Sequence, residues 1–320
     1  MSHKLPAYLI CLSAQSSDME TLEGLDTRLL VDLLRDRVNP SKSLGQHYLV
    51  DDEVIERSIR LSEEFDCPLS GSSHVLEVGP GPGSLTLALL RRGSNVTAIE
   101  IDRQSVDHLR RVFRESTQSL DLQEADAVSG IWPKGITHVI SNLPYQISSP
   151  ILDRITKYHS STPIQLSILL VQEEFAHRMA MSSAPYDIGP LGLNLWLDFD
   201  VFLDRKVSPS SFSPSPRVQS RLVVLKPASR PEAEGTNRQL FRIITRHCFS
   251  NRRRKMRNLL SKTPSRISRV SGWHRDRWAK STSNLLSSDR LELGGGWADL
   301  RPENLEPLDW IKIISAISSE

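Results

Sequence analysis

Leucines at positions 22, 25, 29, 30, 33 and 34 recur at helical spacing, so the polar and apolar pattern predicts a helix from Met19 to Arg37, which Asn39-Pro40 ends. A second helical pattern runs from Asp51 to Phe65 and gives way to the turn-rich stretch Cys67 to Ser73. The period then changes. His74-Val75-Leu76-Glu77-Val78 is a short apolar run of the kind that forms a buried strand, and it meets Gly79-Pro80-Gly81-Pro82-Gly83. Leu85 to Arg92 reads as a helix, Asn95 to Ile101 as a strand, and Arg103 to Arg114 as a helix. Further strands are predicted at Leu120 to Gln123, Thr137 to Ser141, Gln165 to Val171, Leu195 to Phe202 and Arg221 to Leu225. Strand, glycine loop, helix and strand in alternation predict a parallel sheet with helices on both faces. The seven strand candidates make one doubly wound α/β domain.

Past Lys226-Pro227, the Pro, Gly and small polar content of Ala228 to Thr236 looks like a linker. Beyond it Phe241, Ile244, Cys248, Met256, Leu259 and Leu260 fall on apolar faces of helical patterns. The predicted division is therefore an N-terminal extension over 1–38, an α/β domain over 39–227 and a small helical domain over 228–320. No internal repeat is evident.

Composition narrows the class. The chain has 320 residues, 38% apolar and 24% charged, which suits a soluble globular protein and excludes collagen-like, coiled-coil and disordered readings. The three cysteines, Cys11, Cys67 and Cys248, are too scattered for a disulfide framework, and no CxxC or His/Cys cluster has metal-ligand spacing. No metal is expected, and a reducing cytoplasm fits best. No apolar run approaches the ~18 to 20 residues of a membrane span, so no membrane partner is expected. Ala7 to Ala14 imitates a signal peptide, but its apolar core is short and its charged region thin, so a poorly ordered tail is the expectation.

The net charge of +2 conceals an asymmetry. From Phe241 to Lys280 there are thirteen Lys and Arg against the single Asp276, a net +12, which leaves −10 for the other 280 residues. Such density repels itself unless a polyanion is present. The run Arg252-Arg253-Arg254-Lys255, with Trp273 and Trp278 interleaved further on, is read as a phosphate-binding surface that positions a nucleic acid without reading its bases.

The glycine loop sits where a first strand turns into a helix, the place where a bare backbone can pass close to a ligand. Its spacing is GxGxG and not the GxGxxG of dinucleotide cradles. Glu100 ends the next strand 21 positions after Gly79, where a carboxylate can accept from both hydroxyls of a ribose. With prolines in the loop and no diphosphate clamp, S-adenosylmethionine fits better than a nicotinamide dinucleotide. Asp126 follows the third strand and could accept from an adenine amine, although a residue of its type by itself would more often cap a helix.

Asn142-Leu143-Pro144-Tyr145 follows an apolar strand, at the carboxyl end where open α/β sheets place their ligands. An exocyclic adenine amine is a poor nucleophile because its lone pair is delocalised into the ring. The Asn142 side-chain oxygen and the Leu143 backbone carbonyl could bind its two N–H groups and favour a pyramidal nitrogen, while Tyr145 supplies a stacking face. Catalysis would then rest on orientation and electrostatics, without an obligatory general base. No Ser-His-Asp arrangement or carboxylate pair suggests hydrolysis instead.

Eight motifs in order carry a family resemblance: Lys42 to Leu49 (KSLGQHYL), Glu77 to Thr86 (EVGPGPGSLT), Glu100-Ile101-Asp102, Asp126-Ala127, Asn142 to Ser148 (NLPYQIS), Val171 to Arg178 (VQEEFAHR), Ser211 to Ser220 (SFSPSPRVQS) and Phe249 to Lys255 (FSNRRRK). Over about residues 40 to 260 the chain resembles the small-subunit ribosomal RNA adenine dimethyltransferases. The resemblance implies a Rossmann-like, seven-stranded class I methyltransferase domain with a small C-terminal helical domain. It implies S-adenosylmethionine-dependent dimethylation of two adjacent adenosines in the 3′-terminal hairpin of small-subunit rRNA, and a role in ribosome biogenesis. It places His47, Leu49, Gly79, Glu100, Asp126 and Asn142 against the cofactor, and Asn142 and Tyr145 against the base. Partners would be the small-subunit rRNA and the small-subunit precursor, with the protein a monomer.

Two departures stand out: Tyr48 where the family usually has Phe, and the looser Tyr186 to Leu193 loop. Two other readings stay open at this point. One is an RNA- or DNA-binding assembly factor without turnover; the other is an enzyme acting on adenine in large-subunit rRNA or DNA. The intact Asn142-Leu143-Pro144-Tyr145, Glu100 and Asp126 set argues for activity.

Overall fold

A computed structural model describes residues 22, 24–37, 46–114, 116–287 and 295–319. The sequence segments 7–14 and 42–45 lie outside the described residues. Two compact units emerge. One comprises the described residues through Glu173 together with Phe202–Lys226, and the other Glu174–Val201 together with the described residues from Pro227 onward. Glu174–Val201, assigned to the α/β domain from sequence, clusters with the helical unit.

In the first unit the strands are β1 (Tyr48–Leu49), β2 (His74–Val78), β3 (Asn95–Glu100), β4 (Leu120–Glu124), β5 (His138–Asn142), β6 (Leu166–Gln172), β7 (Phe199–Val207), β8 (Phe212–Ser213) and β9 (Ser220–Pro227). Seven of them form one sheet in the order β4-β3-β2-β5-β6-β9-β7, while β1 pairs antiparallel with β8. From β4 to β6 the neighbours are parallel, and β9 runs antiparallel to β6. Val75, Leu76, Glu77 and Val78 are all buried, as a parallel strand covered on both faces requires.

The helices of this unit are α1 (Thr27–Arg35), α2 (Asp52–Glu64), α3 (Ser84–Arg91), α4 (Arg103–Val112) and α5 (Ser148–His159). Their starts follow from capping. Asp51 accepts from the backbone N–H groups of Glu53 and Val54 at the head of α2, and Asp102 from Ser105 at the head of α4. The first helix is shorter than its leucine pattern predicts: Asp26 accepts from Leu29 N at 2.7 Å and fixes the start at Thr27, just after Gly24. Leu30 of α1 joins the core of α2, α3 and the sheet.

The predicted strand from Leu195 to Phe202 is displaced. Pro190 at the first turn, which needs no N–H there, starts helix α7 (Pro190–Trp196), and the strand β7 begins only at Phe199. Helix α6 (Glu173–Ala180) precedes it.

The second unit continues with α8 (Arg238–Phe249), α9 (Met256–Leu260), α10 (Arg275–Ser287) and α11 (Pro307–Ser318). The segment read as a linker is packed structure: Ala233 is buried, the Arg230 guanidinium lies 4.4 Å from the Trp196 ring centroid, and Ala228 N donates to Asp198 O at 2.9 Å. Trp273 and Trp278 are buried as well, and Trp278 Nε1 donates to Leu260 O at 3.0 Å. They serve the core with Trp310 and Phe241 and offer no stacking face to a nucleic acid, contrary to the expectation from sequence.

Candidate active site

Strand order reverses about β2, with β3 on one side and β5 on the other, and at such a switch point the loops leaving the carboxyl ends diverge and open a crevice. A cavity of about 1060 Å3, its open mouth included, lies there. The ends of β2, β3 and β5, with the segment around β1, supply its walls.

The loop after β2 approaches two neighbours closely. Gly79 has φ +68, and a Cβ there would lie 3.3 Å from Pro144 Cγ; Gly81 has φ +55, and a Cβ would lie 3.0 Å from the Tyr48 ring. Side chains at either position would intrude on a seam that the bare backbone leaves clear.

Glu100 lies at the end of β3, 5% exposed. Its Oε2 accepts from Gly81 N at 3.2 Å and its Oε1 from Asp102 N at 2.9 Å. Burial pushes its carboxyl upward and these backbone bonds pull it back, with a net rise. With Ile101 N counted, at most three backbone donors engage a group with roughly four lone-pair sites, so it can still accept from a ligand hydroxyl. Asp126 accepts from Ser129 Oγ at 2.7 Å and Val128 N at 2.8 Å, which hold it below the usual carboxylate range. It thus acts as a turn cap while also lining the cavity.

His47 and Leu49 line the same cavity. Leu49 is fixed by its pairing with Phe212 across β1 and β8. His47 Nδ1 donates to Pro214 O at 2.8 Å, and its ring stacks on Tyr145 with centroids 5.7 Å apart and planes 29° from parallel. The histidine therefore touches the aromatic residue expected to face the base, a contact that sequence spacing does not show.

Asn142 ends β5, and its Nδ2 donates to the His47 backbone carbonyl at 3.1 Å. That bond fixes the amide, and Oδ1 is left as an acceptor that no described residue engages. Leu143 N donates to Leu170 O at 3.1 Å, while the Leu143 carbonyl accepts no hydrogen bond from any described residue. The Tyr145 hydroxyl is 2.6 Å from Ser220 Oγ, and burial pushes the phenol upward, so it stays neutral near pH 7.

Sequence reasoning missed two contributors. Glu77 lines the cavity, fully buried; it accepts from Thr86 Oγ1 at 2.6 Å, and burial pushes its carboxyl up to about 8. Ser220, which holds the Tyr145 hydroxyl, carried no signal beyond membership of a motif. The bare Gly79 backbone, the spare acceptor capacity of Glu100 and the carboxylate of Asp126 suit an adenosine-bearing ligand. Among the described residues no group of three His, Cys, Asp or Glu could hold a metal.

Arg252 to Lys255 are exposed in the turn between α8 and α9 of the second unit. Arg252 lies 3.7 Å from Glu303 and Lys255 2.8 Å from Asp299, which also pairs with Arg257. Arg253 and Arg254 meet no described acid.

A family model described as ribosomal RNA adenine dimethylase matches residues 37–273. The chain is 31% identical over 283 residues to the probable ribosomal RNA small subunit methyltransferase A of Methanopyrus kandleri, covering 88% of this chain and 94% of that protein. It is 39% identical over 221 residues to the protein of the same name from Haloarcula marismortui, covering 68% and 74%. Its fold is similar to a crystal structure of a dimethyladenosine transferase from Plasmodium falciparum, with a TM-score of 0.66, 24% identity and 83% and 96% of the two chains covered. It is also similar to that of the 23S rRNA methyltransferase ErmE, with a TM-score of 0.57, 25% identity and 84% and 98% covered.

Proposed function

The chain belongs to the ribosomal RNA adenine dimethylase family, and on that premise we propose that it dimethylates, from S-adenosylmethionine, the exocyclic amines of two adjacent adenosines in the 3′-terminal hairpin of small-subunit rRNA. The observation that carries this reading is the Asn142 amide, held through its Nδ2 on His47 O, beside the Leu143 carbonyl, which accepts from no described residue.

The cofactor supplies, when bound, a methyl group on a sulfonium centre that a weak nitrogen nucleophile can attack. Glu100 would hold the ribose, Asp126 the adenine, and His47, Leu49, Gly79 and Asn142 would line the remainder. Asn142 Oδ1 and the Leu143 carbonyl would accept the two N–H groups of the target amine and draw its lone pair out of conjugation with the ring. Tyr145, neutral and tied to Ser220, would give the base a fixed face to stack on. The amine nitrogen becomes cationic as its new bond forms and then loses its proton readily, so the side chains act by orientation and by accepting hydrogen bonds. A second round requires the same acceptors to hold an amine with one N–H left.

The exposed Arg253 and Arg254, with Arg252 and Lys255, would contact rRNA phosphates. The natural substrate would be the small-subunit precursor, met by a monomer in the cytoplasm. No described helix is long and apolar enough to cross a membrane.

The test is to incubate the full chain with methyl-labelled S-adenosylmethionine and small subunits lacking the modification, then map blocked positions by primer extension. Label at two adjacent adenosines near the 3′ end is expected. No label in RNA would remove the enzyme, and label at other positions would replace the substrate.

A further inference from the structure

A second cavity lies within the helical unit, of about 1000 Å3 with its open mouth included, between one face of α8 and the turn that ends at Arg269. Four of its ten lining residues are Arg242, Arg246, Arg266 and Arg269, and none is acidic. Arg242 and Arg246 are one helical turn apart and so share a face of α8. Arg266 caps and Arg269 ends the short helical turn Ile267–Arg269, which supplies the other wall.

Other groups anchor the walls. Ile267 and Val270 are buried, Gln239 Nε2 donates to Arg269 O at 2.9 Å, and His247 Nε2 donates to Leu259 O at 3.0 Å. No described acid pairs with Arg242, Arg266 or Arg269, whereas Arg252, Lys255 and Arg257 are met by Glu303 and Asp299. Positive charge that no described acid meets, on Arg242, Arg266 and Arg269, is thus gathered in the cavity as well as in the exposed run. Like charges around one concavity repel until an anion enters, and the planar guanidinium fork matches a phosphate's paired oxygens.

We propose that this cavity is a second RNA-phosphate seat: Arg242 and Arg246 on one side and Arg266 and Arg269 on the other clasp consecutive phosphodiesters of the rRNA substrate. The seat rests on the reading of the chain as an rRNA methyltransferase, and it adds contacts separate from Arg252 to Lys255. Phosphate contacts of this kind set where the strand lies and leave base choice to the active site.

The test uses the full chain and a fluorescently labelled RNA hairpin, with anisotropy titrations from about 50 to 300 mM salt. Arg266→Gln with Arg269→Gln, both exposed and outside any described ion pair, should weaken binding about tenfold at roughly 0.1 M salt. The slope of log affinity against log salt should become shallower by about 0.9 for each phosphate that is no longer neutralised. Arg242→Gln with Arg246→Gln should do the same from the other wall, and Arg253→Gln with Arg254→Gln should add an independent loss. Calorimetry with S-adenosylmethionine should give an unchanged affinity in each variant, which also shows that the chain is folded. An unchanged RNA affinity and slope in both cavity variants overturns the seat. Competition by millimolar inorganic phosphate or pyrophosphate that those substitutions abolish, with RNA binding untouched, assigns the cavity to a free anion and equally overturns it. Methylation of small subunits by the wild-type chain, assayed in parallel, separates these outcomes from failure of the enzymatic reading itself.

Discussion

The Asn142 side chain donates from Nδ2 to the backbone carbonyl of His47 at 3.1 Å, across 95 positions of sequence. This bond decides which end of the amide faces the cavity. Asn142→Ala removes the acceptor for the target amine and should lower the single-turnover methylation rate by about 100- to 1000-fold, the usual loss for one oriented polar group in an active site. Cofactor affinity by calorimetry should fall far less than this rate, because Asn142 is one of several groups that line the ligand. Asn142→Asp should fare no better despite keeping an acceptor, because a carboxylate placed against the His47 carbonyl cannot donate and will turn away. Turnover retained in either variant sinks the account of amine orientation.

Tyr145 should depend on Ser220 for its angle. Their hydroxyls are 2.6 Å apart, and Ser220 is fully buried at the start of β9. A neutral hydrogen bond contributes about 1 kcal/mol, so Ser220→Ala should lower kcat/KM for RNA roughly fivefold and leave cofactor binding alone. Tyr145→Phe keeps the ring and should cost the same. Because both changes delete one bond, the double variant should be no worse than either single one; a multiplicative loss would show two separate roles.

Much of the site was legible because its parts are local. Gly79 to Gly83 and Glu100 are set by the strand-to-loop geometry of one βαβ unit, and Asn142 by the end of the next strand. What failed was tertiary. Ala228 to Thr236 has a linker's composition, yet Arg230 covers Trp196 and Ala233 is buried, contacts that composition does not encode. Trp273 and Trp278 sit among basic residues in sequence, but one precedes α10 and the other lies within it, and both are buried by tertiary packing that the pattern of charges does not resolve. The strand expected at Leu195 begins at Phe199 because a short apolar run suits helix and strand alike, and Pro190 tipped it to helix. The His47–Tyr145 stack joins residues almost a hundred positions apart and left no trace in either segment.

Gly79 offers a test with an internal control. It has φ +68 and a Cβ there would sit 3.3 Å from Pro144 Cγ, whereas Gly93 has φ +74 with nothing within 4 Å. Alanine in the left-handed region costs about 1–2 kcal/mol at either position. Both Gly79→Ala and Gly93→Ala should therefore lower the thermal midpoint by a few degrees. Only Gly79→Ala should also weaken S-adenosylmethionine, by tenfold or more in calorimetry, because its methyl group intrudes on the seam between the two loops. Equal cofactor loss in both variants would mean that backbone strain acts globally and that the seam has no special part.

Glu77 makes stability depend on pH in an unusual direction. Burial raises its carboxyl from 4.5 to about 8, while the hydrogen bond from Thr86 opposes the rise. Below pH 4.5 the group is protonated in the folded and the unfolded chain, and its burial carries no ionisation penalty. Between 4.5 and 8 the unfolded chain has released this proton while the folded chain still holds it, so stability falls as pH rises, by roughly 1.4 kcal/mol per unit at most. Above 8 both states are ionised and the loss levels off. Asp204 works oppositely and lower down: burial raises it, the hydrogen bonds from the Arg57 guanidinium and Arg205 N together with the charges of both arginines more than reverse this, and its net depression removes stability only as pH drops below about 3.8. The two windows do not overlap. Glu77→Gln keeps an acceptor for Thr86 but cannot ionise, so denaturant titrations should show the variant gaining on the wild type steadily from about pH 5 to pH 8. Glu100, whose carboxyl burial also raises, adds to the slope in both proteins, and His108 and His138, which burial lowers from 6.5, oppose it. Parallel stability curves with a constant offset would show that Glu77 does not titrate within this range.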